Sequence, residues 1–160
     1  MARSSNSRDG CASAIERTMR NPMPQLPDSA REMLRGKAYA HVVTRSAGGR
    51  PQITMVWADE IDGHLAFNTS RGRVKLRNIE RDPQIAVTVQ DPRDPQQYLV
   101  VQGHAEVLPE GGPEHIDRLA VRFLGLDHYP YLQPGEERVT VRVVADRISG
   151  AGPWVPAPRG

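Results

Sequence analysis

At 160 residues the chain is the size of one ordinary domain and long enough to bury a core; its 38% hydrophobic and 25% charged residues give a soluble, globular composition. No apolar run approaches the roughly 20 residues that a membrane helix requires, so no membrane partner is expected. The net charge of +2 resides in residues 1–20, leaving a neutral body that excludes the broad basic face of a general nucleic-acid binder.

Cys11 is the only cysteine, which excludes an internal disulfide and a thiolate metal cluster and points to a reducing compartment. Residues 1–24 lack periodicity, carry no apolar core of a secretory signal and end in N-P-M-P, so a disordered N-terminal tail and a cytoplasmic location are expected. The segment L-P-D-S-A-R-E-M-L-R-G-K then reads as a short helix. Ser29 and Glu32 have the spacing of a capping box, and Gly36 stands where a helix ends.

From residue 38 the period becomes two. A-Y-A-H-V-V-T-R (38–45) is a strand bounded by S-A-G-G. P-Q-I-T-M-V-W-A-D (51–59) alternates, with Ile53, Met55 and Trp57 on one face and Gln52, Thr54 and Val56 on the other. Asp62-Gly63 is a hairpin signal that leads into H-L-A-F-N-T (64–69), completing a meander. I-A-V-T-V-Q (85–90) and Y-L-V-V-Q-G-H-A-E-V-L (98–108) are further strands, with Gly103 marking a bulge or bend.

Gly112-Pro113 opens a helix whose face Ile116, Leu119, Ala120 and Phe123 follows the i, i+3, i+4, i+7 rule. The polar stretch 125–137 is too long for a simple connector and suits a lid or a dimer contact. R-V-T-V-R-V-V-A-D-R-I (138–148) is the last strand, and residues 149–160 read as a tail without structure of their own; Trp154 in it is expected to pack on the barrel end. The sum is six antiparallel strands with two short helices, and closure into a barrel would remove exposed edges.

The chemistry concentrates in T-S-R-G-R-V-K-L-R-N, residues 69–78. Residues 71–81 hold Arg71, Arg73, Lys75, Arg77 and Arg81 against Glu80 alone. A strand ends at Thr69 and a short helix begins near Arg73, so backbone N–H groups and the positive end of a helix dipole are exposed there. Thr69 and Ser70 add hydroxyls, and Gly72 permits close backbone approach. Arg73 and Lys75 make an anion clamp, with Arg77 and Asn78 one turn later. The alternative is a solvated helix face laced with ion pairs.

Elsewhere the sequence offers little. The histidines His41, His64, His104, His115 and His128 show no ligand spacing, so no metal site is expected. Ser70 lacks a G-x-S-x-G elbow, and no G-x-G-x-x-G follows a strand.

The runs G-R-P-Q-I-T-M-V-W, D-G-H-L-A-F-N-T-S-R-G-R-V-K-L-R-N-I-E-R-D-P-Q-I-A-V-T-V and Y-L-V-V-Q-G-H-A-E-V resemble the pyridoxamine-phosphate-oxidase-like family, and more narrowly its branch that uses the deazaflavin coenzyme F-420. The resemblance spans about Ala38 to Ile148. It implies a six-stranded antiparallel split β-barrel of the FMN-binding type over residues 25–148, and a homodimer with the cofactor in a groove at the interface. It also implies that Arg73 and Lys75 meet the cofactor phosphate, while Gln52, Thr54, Asn68 and Thr69 line the groove near the ring. The activity implied is hydride transfer from reduced F-420 to an activated double bond of a small molecule. FMN in the same clamp, or an F-420 carrier without chemistry, are the alternatives. No catalytic acid stands out.

Overall fold

The computed structural model describes residues 25–156; residues 1–24, where a disordered tail is expected, lie outside them, as do residues 157–160. The elements run α1 (Asp28–Leu34), β1 (Tyr39–Arg45), β2 (Pro51–Ile61), β3 (His64–Ser70), α2 (Val74–Arg81), β4 (Gln84–Gln90), β5 (Tyr98–Val107), α3 (Gly112–Leu124) and β6 (Arg138–Ala151). The six strands close into a barrel in the order β1-β2-β3-β6-β5-β4, with every neighbouring pair antiparallel. This is the expected class: mainly β, a six-stranded antiparallel barrel with short helices. Among the described residues, closure leaves no barrel strand edge unpaired to template aggregation.

Period-two sequence makes the walls. On β1, Ala40, Val42 and Thr44 are buried inside while Tyr39, His41 and Arg45 face out. Asp62 and Gly63, at φ 52° and 83°, form the two-residue turn between β2 and β3, where only residues tolerant of positive φ serve. The strand β3 is buried along its whole length, because the barrel covers one side and α1 and α3 pack toward the other.

The register of β5 and β6 shifts between Gln102 and Gly103. A Cβ at Gly103 would lie 1.9 Å from the Val144 carbonyl oxygen, so the close crossing of the two strands requires glycine.

Two local expectations are corrected. The α1 helix starts at Asp28 with Pro27 at its N-cap and no side-chain cap. Ser29 therefore lies inside the first turn and cannot close a capping box with Glu32, whose carboxylate meets Arg93 at 3.5 Å instead. The segment after Ile148 is not structureless. The β6 strand continues to Ala151, paired with Tyr98, and Trp154 is buried with its indole N–H donated to the Tyr98 carbonyl at 3.0 Å. Gly150 permits this: a Cβ there would strike that same carbonyl oxygen at 2.1 Å. Trp154 thus packs in the core.

Candidate active site

Beside the C-terminal end of β3 lies a cleft of about 240 Å³. Its basic side is built from the segment singled out in the sequence. Asn68, Thr69 and Ser70 end β3, the chain turns through Gly72 at φ 85°, and α2 begins with Arg73 at its N-cap. The first turn of α2 contains no acidic residue, so its outward N–H groups face the loop without a carboxylate to cap them. Arg73 and Lys75 line the cleft, and among the described residues neither forms an ion pair. Burial, with Arg73 and Arg138 nearby, pushes the Lys75 ammonium below its ordinary pKa. A half-buried cation beside two others is what a bound anion would relieve.

The opposite wall is aromatic. Trp57 of β2 stacks on Phe123 of α3 at 4.8 Å and 6°. Tyr129 stands edge-on to Trp57 at 6.1 Å, and Tyr131 edge-on to Tyr129 at 5.6 Å. Tyr39 completes the wall.

Arg138, the first residue of β6, joins the two sides. Its guanidinium lies 5.1 Å from the Tyr129 ring centre and donates to Glu136 at 2.7 Å and to Asn68 Oδ1 at 2.8 Å. Glu136 also accepts the Ser70 hydroxyl at 2.7 Å and the Gln133 backbone N–H at 2.9 Å. The Gln133 N–H, acting against burial and aided by Arg138 and Ser70, holds the Glu136 carboxyl down at about 2.

Beneath the cleft the polar chain continues inward. Asn68 Nδ2 donates to the Gly112 carbonyl at 2.9 Å and approaches His115 Nδ1 at 3.4 Å. His115 Nδ1 also meets Thr140 Oγ1 at 2.9 Å, and its Nε2 meets Asp59 Oδ2 at 3.2 Å. Arg122 donates to the other oxygen of Asp59 at 2.8 Å. Burial disfavours the Asp59 carboxylate, but hydrogen bonds from His115 and Arg122 outweigh it and its pKa falls.

Of the nine residues picked from the sequence, the cleft brings together Asn68, Thr69, Ser70, Arg73 and Lys75. The other four lie apart from it. Gln52 and Thr54 pair across β1 with Thr44 and Val42, both buried, and so share the barrel's inner face. Gln52 Oε1 accepts the Thr44 hydroxyl at 3.0 Å, and Thr44 accepts from Asn78 Nδ2 at 3.0 Å; this chain fastens α2 to the barrel mouth. Thr54 Oγ1 is buried without a partner among the described residues. Arg77 donates to the Gly72 carbonyl at 2.8 Å and steadies the turn from outside. Arg138, Trp57, Tyr129, Asp59 and His115 were not singled out as site residues. Two local signals bear on them: His115 precedes the apolar stripe of α3 by one residue, and Tyr129 lies in a stretch too long for a connector.

Residues 26–149 match the family model described as pyridoxamine 5′-phosphate oxidase. The chain belongs to this family. The solved structures similar to this family member include an F-420 reductase, at 28% identity and a TM-score of 0.65, covering 78% of this chain and 98% of that one. A conserved hypothetical protein from Mycobacterium tuberculosis matches at 23% identity and a TM-score of 0.61, over 82% and 87% of the two chains. A putative pyridoxamine 5′-phosphate oxidase from Listeria innocua matches at 15% and 0.56, over 77% and 95%; these last two likenesses show the fold alone. No curated protein matches the sequence. The family is one of flavin-type oxidoreductases, and its members are commonly dimeric. Among the described residues no helix is long and apolar enough to cross a membrane.

A flavin-type cofactor suits the donors present. Arg73 and Lys75 supply charge without carboxylate partners, Thr69 and Ser70 lie beside them, and Trp57 and the tyrosines offer flat apolar surface.

Proposed function

We propose that this chain is an oxidoreductase that binds reduced coenzyme F-420 and reduces an activated double bond of a small organic substrate. The observation that carries this reading is the pair Arg73 and Lys75, both lining the cleft and both without an ion-pair partner among the described residues. The 28% identity with an F-420 reductase over nearly all of that chain favours the deazaflavin within the family.

When bound, reduced F-420 supplies a hydride. Arg73 and Lys75 hold its anionic tail, with Ser70 and Thr69 as the neighbouring hydroxyls and Asn68 deeper in the cleft. The aromatic wall orders flat molecules and excludes water from them. A cleft of about 240 Å³ is smaller than the roughly 300–1,000 Å³ of a pocket that encloses a cofactor-sized ligand, so one chain forms only part of the enclosure. Ile53 and Met55, each 61% exposed on the outer face of β2, offer apolar surface for a second copy that would complete it. The proton that completes reduction comes from solvent in this reading.

Equilibrium binding tests the proposal. Quenching of F-420 fluorescence with micromolar or tighter affinity is expected, together with oxidation of the reduced coenzyme when enones are supplied. Tight binding of FMN with none of F-420 would overturn the choice of cofactor. Tight F-420 binding with no turnover over a broad substrate panel would make the protein a carrier.

A further inference from the structure

The polar chain beneath the cleft accommodates a pattern of protons in which every close contact has a donor and an acceptor. The Asp59 carboxylate has only acceptor atoms, so it takes the proton on His115 Nε2 at 3.2 Å. With that tautomer His115 Nδ1 is bare, and it accepts from the Thr140 hydroxyl at 2.9 Å and from the Asn68 amide at 3.4 Å. Asn68 Nδ2 has two hydrogens, and the Gly112 carbonyl takes the other at 2.9 Å. Both hydrogens of the amide are thereby committed inward. Its oxygen is left facing Arg138, whose Nε–H it accepts at 2.8 Å. Were the amide turned over, its NH₂ group would meet the guanidinium and its oxygen would meet the Gly112 carbonyl. Asp59 and His115 are 4% and 1% exposed, so water does not offer these groups other partners.

We propose that Asp59 and His115 are positioning residues for the cleft: with its tautomer set by Asp59, His115 offers a bare Nδ1 to the Asn68 amide and reinforces the orientation that the Gly112 carbonyl gives it, and the amide together with Glu136 holds the Arg138 guanidinium in the cleft beside Arg73 and Lys75. Neither residue touches the cleft itself. The consequence for ligands rests on the anion-binding reading above, whereas the proton pattern does not depend on it. Asp59→Asn is the discriminating variant, because an asparagine keeps the shape but can present an NH₂ group to Nε2. The proton then moves to Nδ1, which confronts the Asn68 amide hydrogen and weakens the Asn68–Arg138 bond, leaving the guanidinium held by Glu136 alone. The logic is that of an aspartate that sets a histidine tautomer in a catalytic triad.

Nitrogen-15 NMR of the ligand-free, full-length protein tests the first half. In the unmutated protein His115 is expected to carry its proton on Nε2, and Arg138 to show a hydrogen-bonded, slowly exchanging Nε–H. A bare Nε2, or protons on both nitrogens, would overturn the proposal without any variant. Asp59→Asn is expected to reverse the tautomer and lose the Arg138 Nε–H signal; an unchanged Arg138 signal in a reversed tautomer would overturn it as well. Should Asp59→Asn fail to fold, Thr140→Val, which leaves the Asp59 contact in place, is expected to keep the proton on Nε2 and the Arg138 signal intact. Loss of either in that variant would count against the proposal. With F-420 as probe, Asp59→Asn should weaken binding about tenfold, matching Arg138→Gln. If the unmutated protein does not bind F-420, the functional reading fails, and the NMR outcome still decides this one.

Discussion

Ser70 at the end of β3 donates its hydroxyl to Glu136 at 2.7 Å, across 66 residues of sequence. That one bond ties the start of the basic loop to the stretch that carries Tyr129 and Tyr131. Glu136 serves three donors at once, from Gln133, Arg138 and Ser70, and against the opposing effect of burial these bring its carboxyl down to about 2 from the ordinary 4.5. A pKa that is lower in the folded than in the unfolded chain stabilises the fold above the unfolded value, and this contribution is lost as pH falls through the folded one. Wild type is therefore expected to exceed Glu136→Gln in urea midpoint above about pH 4.5, with the gap narrowing as pH falls toward about 2. Denaturation series at several pH values measure the gap; a gap constant with pH would contradict the assignment.

Lys75→Ala and Arg73→Ala should each weaken F-420 binding by about tenfold or more, on the order of 1.5–3 kcal/mol for a hydrogen bond to a charged group. The melting temperature should hold or rise slightly, because removing either cation relieves crowding among Arg73, Lys75 and Arg138. Fluorescence titration and calorimetry on the same samples separate the two effects.

Arg77→Ala gives the contrasting result. Its side chain bonds the Gly72 carbonyl on the exposed side of the turn and does not line the cleft. A stability loss of about 0.5 kcal/mol is expected, with F-420 affinity within about twofold of wild type.

Gly112→Ala tests the seat of α3. A Cβ there would lie 2.0 Å from the Arg138 carbonyl oxygen, so helix and strand must part. A stability loss of roughly 1–3 kcal/mol is expected from the overpacking. Since the Gly112 carbonyl also accepts the Asn68 amide, ligand affinity should fall with it. Gly111→Ala, with no atom within 4 Å of its Cβ but a φ of 84°, should cost stability through backbone strain and leave the cleft's contacts in place.

The parts of this protein that are local in sequence are legible in the sequence itself. Alternation marked the strands, Asp62-Gly63 marked the hairpin, Gly103 marked the bend, and the charge excess at 71–81 marked the segment that lines the cleft. What alternation cannot supply is its sign. It separates Gln52 and Thr54 from Ile53 and Met55 but does not say which pair faces the barrel interior, and here the polar pair faces in. Arg138, Asp59 and His115 were silent for a different reason. Each takes at least one of its defining partners from 25 to 70 residues away, and no spacing rule reaches across a barrel. The end of β6 is not legible in the sequence because the Tyr98 carbonyl that Gly150 passes lies more than 50 residues away and the Trp154 indole that Gly152 passes is placed only by the fold.

The strand order has a consequence for the chain as it is made. The β3 strand, which carries Asn68, Thr69 and Ser70, has β6 as one neighbour, and β6 is the last of the six barrel strands to be synthesised. Arg138 and its hold on Glu136 and Asn68 arrive with that strand, so a nascent chain that has released only β1 to β5 lacks the cleft's central cation. Pairings between segments so far apart in sequence form late and slowly. On the proposed reading, cofactor capture would follow barrel closure during biosynthesis, and F-420 fluorescence in a translation reaction would report the moment at which each barrel is completed.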